Sequence, residues 1–192
     1  MPDGAEALTV RTIASLGAVE AAAWDRCAGG GNPFVSHAFL NLLEETGCVG
    51  RKSGWLPQHA LLEDSAGRLL AAAPAYLKSH SYGEYVFDHG WADAYERAGG
   101  NYYPKLLIAV PFTPVPGPRL LAPAGPERRR HRLALLAGLV EVARELEVSG
   151  FHVNFPDESE AALMAEAGLS MRHGCQYHWF NRGYGTFDDF LG

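Results

Sequence analysis

Apolar and polar residues alternate along "ALTVRTI", the signature of a first strand with one buried face. Ser15 is then placed to cap a helix through "GAVEAAAWDRCA", which the glycines 29–31 end. In "NPFVSHAFLNLLEETG", Ser36 is the expected N-cap, Val35 and Leu40 are spaced as a hydrophobic staple, and Gly47 marks the stop. Residues 55–81 read as two antiparallel strands joined by a turn at Asp64 to Gly67, and "YVFDHGWADAYERAGG" as a turn into short helix.

"LLIAV" within residues 101–121 predicts a central strand that runs into a loop carrying Pro111, Pro114, Pro116 and Pro118. Pro126 then opens a long amphipathic helix whose expected stripe is Leu133, Leu136, Leu139, Val140, Ala143 and Leu146. "GFHVNF" follows as a buried strand. "DESEAALMAEAGL" is a compact helix with Asp157 and Glu160 at capping-box spacing and Gly168 at its end, and "MRHGCQYHWFN" is expected to be the last strand. A sheet that opens with hairpins and closes with strand–helix–strand units is a mixed α/β sheet.

At 192 residues and 47 % hydrophobic content, the chain suffices for one core and one domain. A net charge of −6 gives no general attraction to DNA or anionic membrane, so any anion site must be local. Cys27, Cys48 and Cys175 form neither a CxxC pair nor a disulfide framework, which suits a reducing cytoplasm. The N-terminus lacks a signal-peptide pattern, and no apolar run approaches the about 20 residues that span a bilayer.

Several polar residues are placed for binding. Tyr103 and Lys105 share a sheet face at a strand start, where Lys105 can neutralise an anion and Tyr103 can donate to a carbonyl; the plain alternative is a strand end whose Tyr and Lys reach water. The proline loop keeps the backbone donors of Phe112, Thr113, Val115, Gly117 and Arg119 only as isolated groups, a stiff wall rather than a continuous phosphate nest. The arginines of "ERRRHR" oppose the helix macrodipole, so either an anion lies near Arg129 and Arg130 or acids such as Glu127 neutralise them. His89 beside Trp91, and His178 beside Trp179 and Asn181, put polar groups next to aromatics, either as a base for an amine or as hydrogen-bonded parts of the fold. Alternation separates His173 and Cys175 from His178, so no metal site is expected. Asp188 and Asp189 read as acids at a helix start.

The stretches "FDHGWADAYERAGGNYYPKLLIAVPFTPVPGPRLL" and "QYHWFNRGYGTFDDFL" resemble the FemAB-like predicted N-acyltransferases, a family associated with bacterial peptidoglycan biosynthesis. The resemblance implies a GNAT-like fold of mixed, mostly antiparallel sheet flanked by helices, in which two parallel strands splay and the gap holds the acyl donor. It also implies a second GNAT-like half, so residues 1–183 are expected to be the first domain and 184–192 the start of a connection to the other. On that basis the chain is one half of an enzyme that transfers an acyl or aminoacyl group to the amine of a small molecule or cell-wall precursor. Acyl-CoA or aminoacyl-tRNA would serve the full-length protein as donor, and this half would hold no cofactor itself. Tyr102, Tyr103, Lys105, Phe112, Thr113, Arg119, His178, Trp179 and Asn181 are the expected substrate contacts, with Arg129 and Arg130 as a weaker cofactor contact. The competing reading is a recognition domain that keeps the fold without catalysis.

Overall fold

A computed structural model describes residues 7–192. Strand β1 (Thr9–Ile13) leads through a 3-10 turn, capped by Ser15, to helices α1 (Ala21–Ala28) and α2 (His37–Glu45). Ser36 caps α2 by accepting the Phe39 N–H, and Val35 and Leu40 are both buried there. The long hairpin forms as expected, but each arm is cut in two: β2 (Trp55–Pro57) and β3 (His59–Glu63) on one side, β4 (Leu69–Ala73) and β5 (Ala75–Lys78) on the other. Pro74, with no N–H to give, sits at the break. Helix α3 (His89–Arg97), strand β6 (Lys105–Ile108), helix α4 (Arg128–Glu145), strand β7 (Phe151–Val153) and helices α5 (Glu158–Glu166) and α6 (Phe187–Leu191) complete the chain.

Among the described residues the strands form two sheets, β1-β3-β4 and β2-β5-β6-β7, which share the hairpin arms; β6 and β7 run parallel and the other strand pairs antiparallel. Alternate residues face opposite layers. Ala60, Leu62, Leu106 and Ile108 pack toward α4 and α5, whereas Leu61, Leu69 and Ala72 meet Trp24, Leu16 and Leu40 on the other side. Each face is thus closed by helices, the reason β3, β4 and β6 carry almost unbroken apolar runs.

Four expectations need correction. Ser15 caps only the 3-10 turn Leu16–Ala18, and α1 starts separately behind Glu20, which makes no side-chain cap bond. The α4 stripe is Arg132, Leu135, Leu136, Leu139 and Ala143, because Arg132 is drawn inward by Glu160 and turns the buried face. Asp157 caps α5 through the Glu160 N–H, but the Glu160 carboxylate does not return to the cap; it accepts the N–H groups of Arg119 and Leu120. Residues 171–181 are not a strand. They run exposed with no ladder partner, so their alternation has no sheet to serve. α5 ends as read, with Gly168 left-handed and the Leu169 N–H bonded to Met164 O.

Candidate functional site

Beyond Ile108 the two parallel strands part. The Asn154 N–H bonds to Ile108 O, the Ala109 N–H turns to Pro74 O, and the chain leaves the sheet into the proline loop. It returns at once. Gly117 donates to Phe155 O and accepts from the Asp157 N–H, and Leu121 exchanges both backbone bonds with Ala72. Residues 117–121 therefore run in the direction of β6 and occupy the position β6 has vacated.

Arg119 locks this limb in place. It is fully buried, and its guanidinium donates to Asn154 O (2.9 Å), Pro118 O (3.0 Å) and Val115 O (2.7 Å). Burial brings it down to about 10, so it stays charged at neutral pH. Its Coulomb partner Glu160 is raised by burial, against the pull of Arg132 and the two backbone N–H groups. Of the loop's isolated donors, Thr113, Gly117 and Arg119 are all spent within the chain.

The gap between the strands is filled by backbone already paired to both of its walls. At the head of α4, Arg129 pairs with Glu166 (2.8 Å) and Arg130 with Glu127 (2.9 Å), so acids of the chain itself meet the charges that oppose the dipole.

A second polar cluster lies at the other end of β6. Lys105, fully buried, donates to Asp88 Oδ2 (2.6 Å), Glu84 Oε2 (2.9 Å) and Ser81 Oγ (2.9 Å). Tyr102 donates to the same Asp88 oxygen at 2.8 Å, and the Tyr103 hydroxyl lies 2.8 Å from Ser81 Oγ. Burial alone would raise Asp88, but the bonds from Lys105 and Tyr102 bring it down to about 2. Glu84 is raised, because burial outweighs Lys105. Neighbouring Lys78, whose ammonium stands 3.8 Å from the Trp55 ring centre, is lowered by burial to about 8.

The structure thus gathers Tyr102, Tyr103 and Lys105, whereas Arg119 belongs to the separate cluster at the sheet gap. Phe112, exposed and left-handed, lies against Trp55 (5.4 Å between ring centres) beside Gly83, where a Cβ would meet its ring at 2.6 Å. Thr113 donates to Pro111 O within its own turn. His178, Trp179 and Asn181 are exposed and join none of these groups; Asn181 accepts from the Gly183 N–H. His89 is exposed in the first turn of α3. Among the described residues, no group of three or more His, Cys, Asp or Glu could hold a metal ion, and no helix is long and apolar enough to cross a membrane.

Sequence reasoning missed Ser81, Glu84 and Asp88. The available signal was two acids inside the aromatic run "SYGEYVFD", a poor surface pattern.

A family model described as FemAB-like, peptidoglycan biosynthesis/recognition, matches residues 15–192. The chain belongs to the FemAB-like family. Solved structures with the same architecture are GNAT-type acetyltransferases. The aminoglycoside antibiotic 6'-N-acetyltransferase AAC(6')-Ih from Acinetobacter baumannii aligns over 92 % of this chain and 100 % of its own, with a TM-score of 0.51 and 16 % identity. The aminoglycoside N-acetyltransferase AAC(6')-Iy, solved in complex with CoA, aligns over 96 % and 99 %, with a TM-score of 0.51 and 11 % identity. No curated protein matches the sequence significantly. At these identities the structural likeness establishes the GNAT-type fold alone.

Proposed function

We propose that this FemAB-like unit is the acceptor-side part of an N-acyltransferase: it holds an amine-bearing molecule of the cell-wall-precursor class while the acyl donor is bound elsewhere. One observation carries this reading. The segment Gly117–Leu121 lies in the sheet where the GNAT-type fold would open for a donor, paired on both sides and fastened by buried Arg119. Family membership supports the transfer chemistry, and the filled gap supports the division of labour. What such a unit contributes is orientation: holding an amine in line with an acyl carbonyl can supply much of the rate without an acid or base of its own.

Calorimetric titration of acetyl-CoA into the protein tests the reading. No saturable heat is expected. Stoichiometric micromolar binding would overturn it.

A further inference from the structure

Residues 79–91 are built inside out. Ser81, Glu84 and Asp88 point into the core, while Tyr82, Phe87 and Trp91 leave 72 %, 77 % and 65 % of their surface in solvent. Tyr85 and Phe87 hold this arrangement with left-handed backbones, φ 60° and 51°, which side chains of this size adopt only under constraint. The constraint is visible: Lys105 ties Ser81, Glu84 and Asp88 together beneath, and the Lys78 ammonium donates to the Tyr82 carbonyl at 3.3 Å. A buried charge cluster therefore turns three large aromatic side chains outward. Solvation alone gives no reason for such a surface.

One cation already rests on it. The Arg172 guanidinium carbon lies 5.7 Å from the Trp91 ring centre, and its Nη2 faces Phe87 O at 3.5 Å. Arg172 comes from the exposed run 170–185, which is otherwise tied to the body through Gln176, bonded to Pro114 O at 3.0 Å. An aromatic face next to an outward carbonyl suits a group with both positive charge and N–H donors, because the ring quadrupole attracts the charge and the carbonyl accepts the proton. The cluster below adds little net charge, since Lys78 and Lys105 stand against Glu84 and Asp88. The selectivity lies in the Trp91 face and the Phe87 carbonyl.

We propose that the Trp91 face, with the Phe87 carbonyl beside it, is the seat for the cationic amine of the acceptor, a primary ammonium on a flexible side chain, and that Arg172 fills this seat as an internal stand-in. The inference rests on the acceptor-side reading and adds where the amine is held before transfer. It makes Arg172 a competitor of the ligand rather than a contact.

The test is an NMR titration that follows the tryptophan indole N–H signals, with Nα-acetyl-lysine methylamide as the cationic probe and its norleucine counterpart as the neutral one. The lysine probe is expected to shift the Trp91 signal, Trp91→Leu to lose that binding, and Arg172→Ala to tighten it about fivefold. Trp91 and Arg172 are both on the surface, so neither change endangers the fold. Equal binding of the norleucine probe, or an affinity unmoved by Arg172→Ala, overturns the seat. Lysine-probe binding that survives Trp91→Leu overturns it too, but leaves the acceptor-side reading intact. Saturable acetyl-CoA binding does the reverse: it ends that reading while the Trp91 response still stands.

Discussion

Arg119 donates from Nε to the Asn154 carbonyl at 2.9 Å, fastening the returning limb of the proline loop to the chain just beyond β7. Arg119→Leu would leave three carbonyls without their donor and Glu160 with one cation fewer. A loss of about 2–4 kcal/mol is expected in urea unfolding, with faster hydrogen exchange at the Gly117 and Asp157 amides. Arg129→Ala and Arg130→Ala, which remove exposed pairs, should stay within about 0.5 kcal/mol. Equal effects at all three positions would contradict this account of the loop.

Lys105 compensates two carboxylates in a site without solvent. Lys105→Met leaves Glu84 and Asp88 buried and unpaired, at a cost of about 3–5 kcal/mol. Adding Glu84→Gln and Asp88→Asn should return a large part of that stability, measured as a three-site cycle. Additive losses would show that the ammonium is not their shared partner.

Stability should fall in two steps on acidification. Burial lowers His152 from its ordinary 6.5 to about 4, so the folded state prefers it neutral; the unfolded chain binds the extra proton first, and stability drops as pH falls from 6.5 to 4. That step is worth on the order of 3 kcal/mol. Asp88, held at about 2, contributes stability that is complete above the ordinary carboxylate value and is lost as pH falls through 2. Urea midpoints measured from pH 7 to pH 2 should lose their upper limb in His152→Phe and keep the lower one.

Gly138→Ala sets helix propensity against packing. Alanine favours the helix interior by about 1 kcal/mol, but its Cβ would sit 2.3 Å from Val10 Cγ2, where α4 crosses β1. The clash should prevail, with a net loss of about 1–2 kcal/mol in thermal or urea unfolding. Val10→Ala in the same chain should recover only part of the loss, because the Val10 Cβ that remains still stands 2.6 Å from the added methyl. A stabilised single variant would mean that α4 stands off the sheet.

Most elements could be read locally. β1, α2 and α5 carry periods of 2 or 3.6, while the long hairpin and β6 are short apolar runs bounded by turn residues, and those signals act over a few residues. Residues 171–181 show where this fails: their alternation is as regular as that of β1, yet no strand is placed to receive them. Periodicity states which face a strand would bury, while pairing depends on a partner far along the chain.

The polar sites divide in the same way. Prolines and apolar runs impose their geometry wherever they stand, so a mixed α/β chain whose central strand runs into a stiff loop short of backbone donors follows from local residues alone. That the loop folds back into the sheet, that Arg119 fastens it, and that Lys105 is sealed in by Glu84 and Asp88 depends on packing across the whole chain. Each of these outcomes turns on which charges meet in the low-dielectric interior. Lys105 meets Asp88 and Glu84, and Arg119 meets Asn154 and Glu160, across 17 to 41 residues of sequence, beyond the reach of any local pattern.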